Sequence, residues 1–99
     1  MKRFLITVDT AWVGMDNTYK ATAENESDLH DVAELAAYEN FQSFGCDGYV
    51  MEELFPEFEG EYTDEMWDKY NEVEGEYYCY YIREFEGSDE EFNEYEKLW

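Results

Sequence analysis

Carboxylates at regular spacing are the groups of this chain that could do chemistry together. Asp64, Asp68 and Glu72 stand four residues apart with Glu65 alongside, and Glu90 and Glu94 repeat the interval, flanked by Asp89 and Glu91. Glu52, Glu53, Glu57, Glu59 and Glu61 supply further anions ahead of the first set, in a segment that reads mostly as loop. Residues four apart share one face of a helix, and like charges there cost a few tenths of a kcal/mol per pair, by rough measure. Lys69 relieves only part of that cost. Asp64, Glu65, Asp89 and Glu90 fall in predicted first turns, where the helix dipole favours acids. Asp68, Glu72 and Glu94 have no such helical reason to be acidic. The chemistry open to such a surface is that of a polyanion, which attracts cations and basic surfaces.

Other chemistries find little support. A single histidine, His30, lies at the edge of a helical apolar stripe, the usual place for a solvent-edge residue. No G-x-S-x-G, H-E-x-x-H, Walker or dinucleotide pattern occurs. With 27 Asp and Glu, no carboxylate pair stands out as an acid–base couple. Asp47-Gly48 and the Glu57–Glu61 run lack the alternating oxygen ligands of an EF-hand loop. Cys46 and Cys79 form no CxxC or Cys/His pattern, and read as two reduced thiols. The expectation is a protein that binds rather than catalyses, with no cofactor and no metal.

The charge balance sharpens this. There are 27 acids against 6 Lys and Arg, a formal charge of −21 on 99 residues. Residues 1–24 cancel, with Lys2, Arg3 and Lys20 against Asp9, Asp16 and Glu24, so residues 25–99 carry the whole excess. A compact chain of this length has a radius of gyration near ~13 Å. At duplex DNA's spacing of one charge per ~1.7 Å of axis, −21 would fill about 36 Å, close to such a chain's diameter. Strong acidity often accompanies disorder. Here 44% hydrophobic and 20% aromatic residues argue for a folded domain with a small aromatic-rich core. Screening over about 8 Å at physiological salt should make stability rise with ionic strength. The basic start is followed by too short an apolar run for a signal peptide, and no stretch approaches the ~20 apolar residues of a membrane span. These features point to a cytoplasmic protein with no membrane partner.

The elements that position the carboxylates follow from periodicity. Residues 2–9 alternate, a loop with Gly14, Asp16 and Asn17 follows, and 18–24 alternate again, predicting an antiparallel hairpin. From Ser27, a plausible N-cap, Leu29, Val32, Ala33, Ala36, Ala37, Phe41 and Phe44 form a helical stripe ending at Gly45. Tyr49–Phe55 reads as a turn or two of helix ending before Pro56. Thr63 caps a helix over Asp64–Val73 with Met66, Trp67, Tyr70 and Val73 inward, and Gly75 follows it. Residues 76–85, rich in tyrosine, are the strongest strand signal. Ser88 and Glu91 form a capping box opening a last helix through Phe92, Tyr95 and Leu98. The expected fold is a single α+β domain over 1–99, ordered β-β-α-(α)-α-β-α, a three-stranded antiparallel sheet with helices packed on one face.

In size, charge and aromatic content over residues 25–99 the chain resembles the small acidic DNA-mimic inhibitors of bacteriophages and mobile elements, including anti-restriction and some anti-CRISPR proteins. That resemblance implies an inhibitor that sits in the basic groove of a nucleic-acid-binding host protein (a restriction enzyme, a CRISPR effector or a nucleoid protein) and does not itself bind nucleic acid. Lys/Arg grooves shaped for phosphates would draw such an anion at steered rates. Two other readings fit the composition: an acidic interaction module or chaperone for a basic partner, and a surface adapted to high salt. The neutral first 24 residues weigh against salt adaptation. Exposed Tyr38, Tyr62, Tyr70, Trp67 or Trp99 would be natural anchors beside the anionic surface.

Overall fold

Strand pairing makes β1 the centre of the molecule. The structure, a computed structural model, describes residues 1–99. It runs β1 (Lys2–Thr10), β2 (Asn17–Ala23), a 3-10 turn (Glu26–Leu29), α1 (His30–Ser43), α2 (Cys46–Leu54), α3 (Asp64–Val73), a second 3-10 turn (Glu74–Glu76), β3 (Tyr78–Glu84), α4 (Asp89–Asn93) and β4 (Glu96–Lys97). The sheet order is β3-β1-β2-β4, with β1 antiparallel to β2 and β3, and β2 parallel to β4. The fold is α+β, but the sheet is four-stranded and mixed, not three-stranded and antiparallel.

The fourth strand replaces most of the predicted last helix. Ser88 does cap α4, its Oγ accepting the Glu91 N–H at 3.2 Å, yet α4 stops at Asn93. The chain then extends along the open edge of β2. Leu98 N–H donates to the Lys20 carbonyl at 2.9 Å and Thr22 N–H to the Trp99 carbonyl at 3.3 Å. Backbone bonding to a vacant edge outweighs a short helix, which is marginal by itself. Phe92 and Leu98, expected on one stripe, pack in different places: Phe92 lies beside Lys20 and Arg3, and Leu98 joins the first core cluster.

The helices do not share one face. Phe4, Ile6 and Val8 of β1, with Ala21 and Ala23 of β2, pack against Leu29, Ala33, Ala36 and Ala37, all buried. The small alanines let α1 lie close on the sheet. On the opposite face, register aligns Arg83, Leu5, Lys20 and Lys97 across all four strands. There α4 covers the β1 start: Arg3 bonds Asp89 and the Gly87 carbonyl, and its guanidinium lies 5.5 Å from the Phe85 and Phe92 ring centres. A side chain at Gly87 would displace its neighbours, because a Cβ would stand 2.6 Å from the tip of the Phe85 ring.

A second core gathers Phe41, Cys46, Val50, Met51 and Tyr70, with Trp12, Met15, Leu54, Phe55, Tyr62 and Met66 around it. It brings α2, α3 and the β1–β2 loop to the far end of α1. Gly45, at φ 68°, supplies the left-handed step between α1 and α2. Buried Asn40 fixes the β1–β2 loop by donating to the Met15 carbonyl at 3.1 Å and accepting from Asn17. Tyr78 packs against both cores. Set side by side, they give a long molecule, 51 × 23 × 14 Å with a radius of gyration of 16.4 Å, where ~13 Å was expected. Its net charge is therefore spread at about one per 2.4 Å of length, sparser than the duplex's ~1.7 Å.

Several boundaries match the sequence reading. Helix α3 spans Asp64–Val73, capped by Thr63 Oγ1 accepting the Met66 N–H at 3.3 Å. The start of α1 differs: the chain enters through the 3-10 turn, and the Asn25 N–H, not Ser27, is held by the Asp28 carboxylate at 3.3 Å.

Candidate anionic interface

The acidic surface is built on residues 46–76, which hold twelve acids and one base, Lys69. Glu52 and Glu53 are on α2, in its last turn, within the Tyr49–Phe55 stretch that reads from sequence as a turn or two of helix, although the sequence reading also groups them with the loop anions. Acids at a helix C-terminus oppose the dipole, and no helix in the fold carries a base in its last turn. After α2, the segment 55–62 alternates: Phe55, Phe58 and Tyr62 turn toward other rings while Glu57, Glu59 and Glu61 are exposed. Phe58 stacks on Tyr62 with ring centres 5.5 Å apart, and Tyr62 meets Trp67 edge-on at 5.9 Å. Trp67 meets Tyr70 at 5.4 Å. This chain of rings ties the acidic loop to α3, so Glu57, Glu59 and Glu61 project from a segment anchored at Phe55, Phe58 and Tyr62.

On α3, Met66, Tyr70 and Val73 face the second core. Asp64, Glu65, Asp68 and Glu72 are exposed on the other side, Asp64, Asp68 and Glu72 at steps of about 6 Å along the axis. Lys69 reaches Glu72 at 3.8 Å, both well exposed. An exposed pair of that length contributes little.

The α4 set lies elsewhere. Asp89, Glu90, Glu91 and Glu94 are exposed, but α4 sits over the β1 start, whereas the acidic lobe packs beyond Thr10 at the other end of that strand. Arg3 and Thr10 are seven strand steps apart, about 23 Å. Asp89 is also committed to Arg3 at 2.6 Å. The structure thus groups Glu52, Glu53, Glu57, Glu59, Glu61, Asp64, Glu65, Asp68 and Glu72, and separates the α4 carboxylates from them. Of all these, only Asp89 and Glu72 meet a base.

The candidate aromatic anchors divide as well. Tyr38, Trp67 and Trp99 are exposed, and Tyr62 is half-buried in the ring chain. Tyr70 is buried, with a hydroxyl that makes no hydrogen bond of good geometry. Burial first, and then Glu74, push its ionisation well above the usual tyrosine value. Phe58, 40% exposed, lies beside the acids and was not singled out by sequence; its alternation with Glu57 and Glu59 is the signal that marks it.

Sequence reasoning also missed a cationic face. Arg3, Lys20, Arg83 and Lys97 come from four strands or their ends and meet on the sheet face under α4. Lys20 bonds the Asn93 side chain at 2.9 Å. These residues are remote in sequence, and only register brings them together.

His30 is exposed and its Nδ1 lies 3.0 Å from the Tyr80 hydroxyl. Cys46 is buried beside Met15 and Cys79 is exposed on β3; both are free thiols. No group of three or more His, Cys, Asp or Glu converges as a metal site, and no helix is long and apolar enough to cross a membrane.

What fold and surface define is a class: an α+β protein whose helical end is an aromatic-braced polyanion. Comparison with known proteins adds nothing to that class, since no family model, no curated protein and no solved structure matches the chain.

Proposed function

We propose that this protein is an acidic DNA-mimic inhibitor, acting by binding and not by catalysis, in the cytoplasm of a host cell. Its α2–α3 lobe occupies the basic nucleic-acid groove of a partner such as a restriction enzyme, a CRISPR effector or a nucleoid protein. One observation carries this reading: in residues 55–62 the rings of Phe55 and Phe58 each contact Tyr62 while Glu57, Glu59 and Glu61 are exposed between them, and the segment runs into a helix whose outer face repeats acids. The ring chain holds those charges in place, so less ordering entropy is lost when a partner binds. Asp68 and Glu72 on α3 and the acids at the end of α2 oppose helix stability, as expected of a surface kept for a partner. The lobe is the contact surface. The carboxylates of α4, at the other pole and partly tied to the cationic face, are secondary.

The second reading, an acidic adaptor that does not imitate nucleic acid, draws on the exposed Phe58 and Trp67 beside the acids, since aromatic anchors suit a protein–protein interface. Capture from bacterial lysate at low salt, with and without added duplex DNA, separates the two. A mimic is displaced from its captured partner by duplex; an adaptor remains bound and carries the DNA with it. Affinity should fall steeply from low to moderate salt and weaken in the combined D64N, D68N and E72Q variant. Affinity indifferent to salt and to these substitutions would remove the lobe from the interface.

A further inference from the structure

The outer edge of β3 is an open pairing site beside an acidic, tyrosine-floored groove. It is the last strand on its side of the sheet. Phe85 N–H donates to the Arg3 carbonyl and Ala11 N–H to the Tyr77 carbonyl. Together with the β1–β3 register, these bonds turn the backbone groups of Cys79, Tyr81 and Arg83 toward β1, and those of Tyr78, Tyr80 and Ile82 outward. The register runs unbroken from Glu84 to Tyr78, so no bulge twists the edge away. From Tyr78 to Ile82 the strand has neither a charged residue nor a Pro; Arg83 and Glu84 follow at its end. Edges are usually blunted by such devices; over those five residues this one is not.

Along the edge, between α1 and β3, two adjoining cavities of about 380 and 290 Å³ share Glu34 and Tyr78. Asp31 and Glu34 rim them from α1, and Tyr80 belongs to the β3 side. Leu35, also in the lining, is 58% exposed. The His30–Tyr80 bond holds the Tyr80 ring in place. Burial first, and then the Glu74 and Glu34 carboxylates, push the Tyr78 hydroxyl up; the negative potential of the groove comes from those carboxylates and Asp31.

We propose that the β3 edge takes up an extended Lys/Arg-bearing segment of a partner protein as a fifth strand, its basic side chains lying in the groove against Asp31 and Glu34. Alternate side chains of an added strand fall on the α1 side, where a cation meets both carboxylate and tyrosine rings. A second copy of this chain would bring another −21 to the same edge, so charge selects a basic occupant. This site adjoins the α2–α3 lobe at Gly75 but shares none of its grouped carboxylates, and it does not rest on the mimic reading.

The probe is an end-blocked peptide of alternating Lys and Val, compared with the same peptide N-methylated along one edge and with a Glu/Val counterpart. The Lys/Val peptide should bind and slow amide exchange at Tyr80 and Ile82, while the N-methylated and Glu/Val forms do not. The D31N/E34Q variant should weaken binding by about three- to tenfold, the range of two exposed ion pairs. The combined α3 variant should leave amide protection on β3 unchanged. Absence of binding, binding indifferent to N-methylation or to D31N/E34Q, or protection only on α3, each overturns the proposal. Displacement of the lobe's partner by duplex DNA is read separately, so either idea can fail without the other.

Discussion

The sheet end and the helical end of this molecule solve the same problem with different materials. The first core is built from close-packed aliphatic and alanine side chains with Phe4, nearly all of them closed to solvent, and its outer face gathers most of the chain's bases. The second is built from aromatics and methionines, many half-buried, under a surface with a single lysine among twelve acids. A large ring removes roughly 150–250 Å² from water, so a few of them offset repulsion that a thin aliphatic layer would not. The difference teaches that residue type in the core tracks charge density on the surface above it.

The strongest way to break that comparison is at the joint. Phe41 is fully buried and its ring lies 5.3 Å from Tyr78, which touches both cores. Phe41→Ala should cost about 3–5 kcal/mol in urea unfolding. It should also melt both ends in one transition; separate transitions would mean that the cores are independent.

Alkaline pH attacks the tyrosines. Burial pushes Tyr19, Tyr70, Tyr77 and Tyr78 above the ordinary value of 10.0, with neighbouring glutamates adding to it. A group whose folded value is raised contributes stability in full below its unfolded value and loses it as pH rises through the folded one. Stability should therefore hold up to about pH 10 and decline above it. Circular dichroism across that range checks this; a flat profile would show that the rings are not held as described.

The fold was legible where local signals agree. Helix α3 has a threonine cap and an apolar stripe, and its bounds follow from those alone; the hairpin follows from strict alternation. The parts that escaped are decided at a distance. Glu96 and Lys97 have no strand pattern, and become β4 because β2 has an open edge. The position of α4 on the back face depends on Arg3 meeting Asp89, residues at opposite ends of the chain. The acidic residues were readable individually. Their division into two poles was not, since it depends on where β1 begins and ends in space.

Charge removal should act with opposite sign at the two ends. The combined D64N, D68N and E72Q variant should raise stability by a few tenths of a kcal/mol per relieved pair, about 0.5–1 in all. Asp89→Asn, which loses the bond to Arg3, should lower it by up to ~1 kcal/mol. Chemical denaturation measures both, and added salt should shrink both differences. Equal signs would mean that the net charge, and not its placement, governs stability.

The smallest effect is expected at Tyr70. Its buried hydroxyl lacks a partner, so Tyr70→Phe should leave the melting temperature unchanged or slightly higher. A marked loss would reveal a hydrogen bond to Glu74.

The 51 Å length has its own consequence. At about 8 Å per Debye length, the two tips lie roughly six such lengths apart and are electrostatically deaf to one another. Substitutions at opposite tips should thus combine additively in any affinity they change, letting each pole be tuned, or evolve, without retuning the other.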